Sequence, residues 1–247
     1  MTFKDHFSST AALYAAARPT YPDELFRFIA ERAPARRVAW DCATGNGQAA
    51  RDLARYFQRV IATDASEAQI ARAVPIKGVE FHVGRAEHSA LPDRSVDAAT
   101  VATAIHWFDF DAFYREVLRV LVAGGLLAVW SYGWPAMLPA VDEIIREFAH
   151  DTVGPYWPPE RRYVDDGYKT IPFPLRELET PRLEMHADYT LAQVLGYVMT
   201  WSATQRYREH VGRDPIPALG ERLEAAWGDA PTREVRWPIH LRAGRAD

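Results

Sequence analysis

The chain is predicted to be an α/β protein with a doubly wound, mostly parallel seven-stranded sheet and an antiparallel C-terminal strand. Three observations carry this. Short apolar segments alternate with helix-like segments as far as Tyr132. Two of those apolar segments end on an acid, Asp41 and Asp64, ahead of a loop. Beyond Gly133 the sequence turns aromatic and proline-rich, then regains strand-like alternation in two further segments. Strands alternating with helices require right-handed crossovers and a sheet covered on both faces.

The elements follow in order. Pro22 to Arg32 reads as a helix. Arg37 to Asp41 is a short apolar run ending in an acid, so a buried strand. Gly47 to Tyr56 reads as a helix with Leu53, Tyr56 and Phe57 on one side. A second strand spans Arg59 to Asp64, a second crossover helix Ser66 to Ala73, and a third strand Val79 to Gly84. Val96 to Ala102 is apolar on both faces and forms a fourth strand. Asp111 to Leu121 reads as a helix closed by Gly124–Gly125. Leu126 to Tyr132 is the fifth strand. Leu138 to Asp151 reads as one amphipathic helix, and residues 154–181 as an ordered aromatic cover. Leu183 to Tyr189 alternates like a strand, Thr190 to Val211 reads as a helix, and Arg233 to Arg242 as a final strand.

Composition narrows the function. The chain has 247 residues, 48% hydrophobic and 25% charged, with a net charge of −4. This suits one soluble globular domain without the basic field that a phosphate backbone requires. Nucleic acid is therefore not expected as a partner. No run of about 18 apolar residues is present, so no membrane span is expected. The N-terminal residues lack the apolar core of a signal peptide. The single cysteine, Cys42, precludes an intramolecular disulfide and agrees with an expected cytoplasmic location.

The chemistry concentrates in VAWDCATGNGQAA, where the first strand gives way to its helix. In open α/β sheets, ligands bind at the carboxyl ends of strands where the strand order switches. Gly45 and Gly47 allow a tight turn and close backbone approach. Gly45-x-Gly47-x-x-Ala50 also fits a dinucleotide fingerprint, and a ligand-free glycine turn is the plain alternative. Two features favour S-adenosylmethionine (SAM) over a nicotinamide dinucleotide. Asp41 stands four residues before Gly45, where a carboxylate repels a pyrophosphate but suits the ammonium of a methionine moiety. The three lysines, Lys4, Lys77 and Lys169, have no tyrosine four residues before them, so the Tyr-x-x-x-Lys pair of one large class of hydride-transfer enzymes is missing. Asp64 lies 23 residues after Asp41, a spacing that fits an acid binding ribose hydroxyls. The histidines form no ligand-spaced cluster with Cys42 or paired acids, so no metal is expected.

The segments WDCATGNGQAA, IATDAS, GRAEHSALPDRSVDAATVATAIHWFD and LRVLVAGGLLAVWSYG lie in the order and spacing of the class I SAM-dependent methyltransferases. The chain resembles that Rossmann-like family in its type 11-like branch, and within it the trans-aconitate and juvenile-hormone-acid methyltransferase group. The resemblance implies one methyltransferase domain: a SAM-binding core with an N-terminal helical cap over residues 1–133, a helical and aromatic lid over 134–182, and closing strands and helix over 183–247. It implies that Asp41, Ala43 and Gly45 line the methionine end, with Asn46, Gly47 and Gln48 completing the loop. Asp64 then binds ribose, Ala65 and Ser66 flank the adenosine, and Ala86 and Glu87 lie near the adenine. Ala104, Ile105, His106 and Trp107 face the methyl group and the acceptor. Ala43 departs from the family, which usually has glycine there.

His106 and Trp107 are the catalytic candidates. His106 is a candidate base or anion-orienting group, with a structural histidine as the alternative. Trp107 is a candidate cation–π partner for a sulfonium, or helix-start packing. Arg18 is a candidate partner for a substrate carboxylate. Tyr14, Tyr21 and Trp134 are candidates for closing the acceptor site, and Arg161–Arg162 reads as a solvated face. The expected reaction is methyl transfer to a small molecule, at the carboxylate oxygen of an organic acid. A hydroxyl or amine acceptor, an RNA methyltransferase and a non-catalytic SAM-binding protein are the alternatives. A monomer or homodimer is expected.

Overall fold

The computed structural model describes residues 19–246. Its strands are β1 (Val38–Cys42), β2 (Arg59–Asp64), β3 (Val79–Val83), β4 (Val96–Ala102), β5 (Leu121–Tyr132), β6 (Arg176–Glu177), β7 (Leu183–Tyr189) and β8 (Arg233–Arg245). Among the described residues the helices are α1 (Asp23–Arg32), α2 (Gln48–Leu53), α3 (Glu67–Ile70), α4 (Phe110–Val120), α5 (Pro139–Glu147), α6 (Arg161–Asp165), α7 (Leu191–Met199), α8 (Ser202–Val211) and α9 (Ile216–Trp227). The strands form one sheet in the order β3-β2-β1-β4-β5-β8-β6, with β7 also paired to β8. The pairs from β3 to β5 are parallel, and β8 runs antiparallel to β5, β6 and β7. The predicted seven strands are all present, and the two-residue β6 is an eighth.

The order reverses at β1, which lies between β2 and β4. Connections from β1 and β4 leave toward opposite faces and open a crevice at their carboxyl ends, the general position of ligands in such sheets. Side chains alternate across β5. Leu126, Ala128 and Trp130 enter the core under α1, while Leu127 and Val129 enter the core under α4. Burial on both faces explains why these strands read as unbroken apolar runs.

Several predicted boundaries differ. The helix α4 ends at Val120 because Leu121 turns extended, so Gly124–Gly125 do not close it. These glycines sit in a bulge where the register steps from Val96–Leu121 to Ala98–Leu126. Gly124 adopts φ 70° there and donates its N–H to the Ala246 carbonyl at 3.0 Å. The helix expected over 66–73 is only the four residues of α3. The helix expected over 138–151 is α5 followed by a π-turn at Phe148–Thr152. The helix expected over 190–211 breaks between α7 and α8, where the Thr200 hydroxyl caps the Tyr197 carbonyl at 2.6 Å. Helix α9 was not foreseen. Pro215 and Pro217 at its start, Gly220 within it and a polar surface blurred the period, although Leu219, Leu223 and Trp227 bury one face.

Candidate active site

The β1 loop is built around two carboxylates. Asp41 is fully buried at the end of β1. Its Oδ2 accepts the Thr44 hydroxyl at 2.5 Å and its Oδ1 the Thr100 hydroxyl at 2.9 Å. Burial pushes its pKa up to about 6, and the two hydroxyls only partly offset this. Asp64 caps β2. Its Oδ2 accepts the Gly45 N–H at 2.9 Å and its Oδ1 the Ser66 N–H at 2.8 Å. One carboxylate therefore ties the β1 and β2 loops together and faces the crevice from a fixed position.

Three consecutive odd positions of the loop are left-handed: Ala43 at φ 55°, Gly45 at 60° and Gly47 at 93°. Ala43 thus keeps the backbone conformation that favours glycine despite its Cβ. At Gly47 an added Cβ would lie 2.7 Å from the Phe81 ring, so a side chain is excluded. Among the described residues nothing lies within 4 Å of a Cβ added at Gly45. Asn46 is half-buried at the loop tip. Gln48 donates its side-chain amide to the Pro19 carbonyl at 2.8 Å, which anchors the segment preceding α1 over the loop. Ser66 caps α3 through its hydroxyl, Ala65 is half-buried beside it, and Ala86 is buried after β3. Glu87 accepts the Asp109 N–H at 3.3 Å and so links the β3 loop to the start of α4.

The opposite wall follows β4. Thr103 takes φ 53°, a strained conformation for a β-branched residue, and among the described residues its buried hydroxyl has no hydrogen-bond partner. Ala104 then leads into a 3₁₀ turn over Ile105–Trp107. The His106 and Trp107 rings lie against each other with centroids 4.8 Å apart. A cavity opens beside them, lined among others by Thr103, Tyr132, Trp134, Trp157, Arg161 and Trp201.

Of the sequence candidates, this cavity brings together His106, Trp107 and Trp134. Tyr21 is not among its lining residues, because its ring packs against Trp130 and Phe26 with centroids 5.5 and 6.3 Å away. Tyr14 and Arg18 lie outside the described residues. The reading of Arg161 as a solvated residue is corrected. Its guanidinium stacks over Trp134 at 4.3 Å and Trp157 at 4.5 Å, and its side chain is only 20% exposed. Asp165 takes its Nε at 2.8 Å, and among the described residues the two terminal nitrogens make no hydrogen bond. The sequence hint was an arginine inside an aromatic-rich lid. Its stacking partners lie 4 and 27 positions away, so only the fold brings them together.

His106 is buried, and its Nδ1 lies 2.8 Å from the hydroxyl of Tyr168. Burial lowers its pKa to about 3, helped by the nearby Arg161 charge. It is therefore a neutral imidazole throughout the physiological range. No group of three or more potential metal ligands occurs among the described residues.

Comparisons with known proteins agree with this architecture. Residues 40–129 match the methyltransferase domain family. A methyltransferase of Dictyostelium discoideum is 34% identical over 97% of this chain and 94% of its own length. A structure from Anaeromyxobacter dehalogenans, assigned as a type II methyltransferase, superposes with a TM-score of 0.87. It is 44% identical and covers 93% of this chain and 98% of that one. The YcgJ protein of Bacillus subtilis, 18% identical with a TM-score of 0.54 over 91% of this chain and 98% of its own, shares the fold. The chain belongs to the methyltransferase family. The cofactor of this family is S-adenosylmethionine.

The β1 loop fits that cofactor on its own geometry. A buried carboxylate with a raised pKa, Asp41, is suited to a nearby ammonium group. Among the described residues the left-handed loop leaves open space at Gly45, and Asp64 stands fixed at the mouth of the crevice.

Proposed function

We propose that the protein is a SAM-dependent methyltransferase that esterifies the carboxylate of a small organic acid. The observation that carries the acceptor reading is Arg161. Two indoles hold its guanidinium in place, and Arg161 lines the same cavity as His106 and Trp107. A planar, permanently charged fork matches the two oxygens of a carboxylate. Trp134, Trp157 and Trp201 supply an apolar wall for the rest of the acid. The sequence resemblance to acid methyltransferases supports the same reading.

When bound, SAM supplies an activated methyl group. In this reading Asp41 faces its ammonium end, the Ala43–Gly47 backbone cradles it, and Asp64 holds the ribose. Ala65, Ser66, Ala86 and Glu87 lie along the adenosine side. Trp107 and Ala104 close the reacting end. The chain's main contribution is orientation and exclusion of water, and orientation alone can lower a barrier by about 7–11 kcal/mol.

Transfer to a carboxylate moves no proton, since the acid is already ionised at pH 7. His106 suits this requirement. An imidazole with a pKa of about 3 is a poor base for an alcohol or amine, which argues against those acceptors. The test is a panel of small acids, each beside its primary amide and alcohol, with tritiated SAM as donor. Methyl esters release labelled methanol in alkali. Label in volatile methanol from acids alone is the expected result. Alkali-stable label from the alcohols or amides would refute the carboxylate reading.

A further inference from the structure

We infer that Tyr168 is a positioning residue: it fixes His106 in the Nε2–H tautomer, so that His106 donates a hydrogen bond to the acceptor's oxygen. This rests on the carboxylate reading above and adds a second donor beside Arg161.

The geometry around Tyr168 is unusual. Gly167 and Tyr168 are both left-handed, at φ 67° and 63°. A Cβ on Gly167 would come within 2.9 Å of the His240 ring, so only glycine fits. A bulky residue at positive φ costs on the order of 1–3 kcal/mol and persists only where surrounding contacts hold it. Here the Tyr168 N–H bonds the Tyr163 carbonyl at 2.7 Å, and Arg242 donates to the Tyr168 carbonyl at 2.8 Å. The result is a fully buried ring that brings its hydroxyl to His106 Nδ1 at 2.8 Å across 62 positions of sequence.

The direction of that bond follows from satisfying buried donors. Burial pushes the Tyr168 hydroxyl well above its ordinary pKa, so it keeps its proton. Among the described residues His106 Nδ1 is its hydrogen-bond partner. If Nδ1 carried the proton, the buried phenol O–H would lack an acceptor, at a cost of about 1–3 kcal/mol. With the phenol donating, Nδ1 accepts and the single proton of the neutral imidazole sits on Nε2. His106 lines the same cavity as Arg161, so its Nε2–H and the guanidinium fork supply donors to one bound carboxylate.

The experiment has two arms. ¹⁵N NMR of histidine-labelled wild-type protein at pH 7 reads the tautomer of His106, assigned by its loss in His106→Gln. A single Nε2–H form is expected, and an Nδ1–H form would overturn the inference. Kinetics on the acid turned over in the panel forms the second arm. His106→Gln keeps a side-chain N–H donor and should hold kcat within about tenfold, whereas His106→Ala should raise KM about tenfold. Equal losses of kcat of about a hundredfold or more in both variants would identify a base and overturn the inference. Tyr168→Phe should mix the two tautomers and raise KM with kcat little changed. An unaltered tautomer in that variant would also count against it, and if it fails to fold, the wild-type spectrum decides. An Nε2–H form in a protein that methylates no acid would refute the carboxylate reading while leaving the tautomer assignment standing.

Discussion

Asp41 gives the sharpest prediction, because the protein holds it in a state that a cation should relieve. Its carboxyl is fully buried, and its pKa rises from 3.8 to about 6. The cost of keeping it ionised at pH 7 is on the order of 3 kcal/mol. The sign is that of a carboxylate whose folded pKa is raised: the stability is present at low pH and is lost as pH rises through about 6. An ammonium group placed beside Asp41 reverses that preference, so cofactor binding requires the ionised form. About one Asp41 in eleven is ionised at pH 5 and about ten in eleven at pH 7, so affinity should fall about tenfold on going from pH 7 to pH 5. Calorimetric titration with S-adenosylhomocysteine measures this directly, since its own ammonium and carboxylate do not titrate in that range. His106 stays neutral across it. Asp41→Asn should abolish the pH dependence and weaken binding at pH 7. The same variant should raise the melting temperature of the protein alone, because Asn can accept from one threonine hydroxyl and donate to the other. Affinity that is flat between pH 5 and 7 would show that Asp41 does not face the cofactor's ammonium group, and an Asn variant that melts lower would show that its ionised form is not held at a cost.

Three further outcomes follow. Asp64→Ala removes the acceptor of the Gly45 and Ser66 N–H groups and should raise the Kd for S-adenosylhomocysteine about a hundredfold by calorimetry; an unchanged Kd would show the ribose placement to be wrong. Arg161→Gln should raise the acceptor KM by about 10–100-fold in steady-state assays while leaving the cofactor Kd within about twofold. Gly47→Ala forces a Cβ against Phe81 at φ 93° and should lower stability by about 1–3 kcal/mol in urea denaturation.

The cofactor half of the site was legible in the sequence because it is local. Asp41, Ala43, Gly45 and Gly47 lie within one strand–loop–helix turn, and Asp64 ends the next strand, so spacing alone places them. The sheet was legible for the same reason, since β2 and β4 are short apolar runs buried almost throughout and the alternation of β7 matches its burial. The acceptor half was not. Arg161 stacks on Trp134 and Trp157, and Tyr168 reaches His106 by one hydrogen bond across 62 positions; neither contact leaves a periodic mark on the sequence. Thr103 gave no signal either, because its strain is a property of backbone geometry. Gly124–Gly125 misled because glycine marks a bulge as readily as a helix end.

A ternary crystal structure with S-adenosylhomocysteine and an acid from the panel would show cofactor and acceptor in place together. The homocysteine end should lie beside Asp41 and Gly45, and the carboxylate within hydrogen-bonding distance of both Arg161 and His106 Nε2. An acid bound with its carboxylate directed away from Arg161, or a cofactor lying outside the β1 loop, would contradict this arrangement.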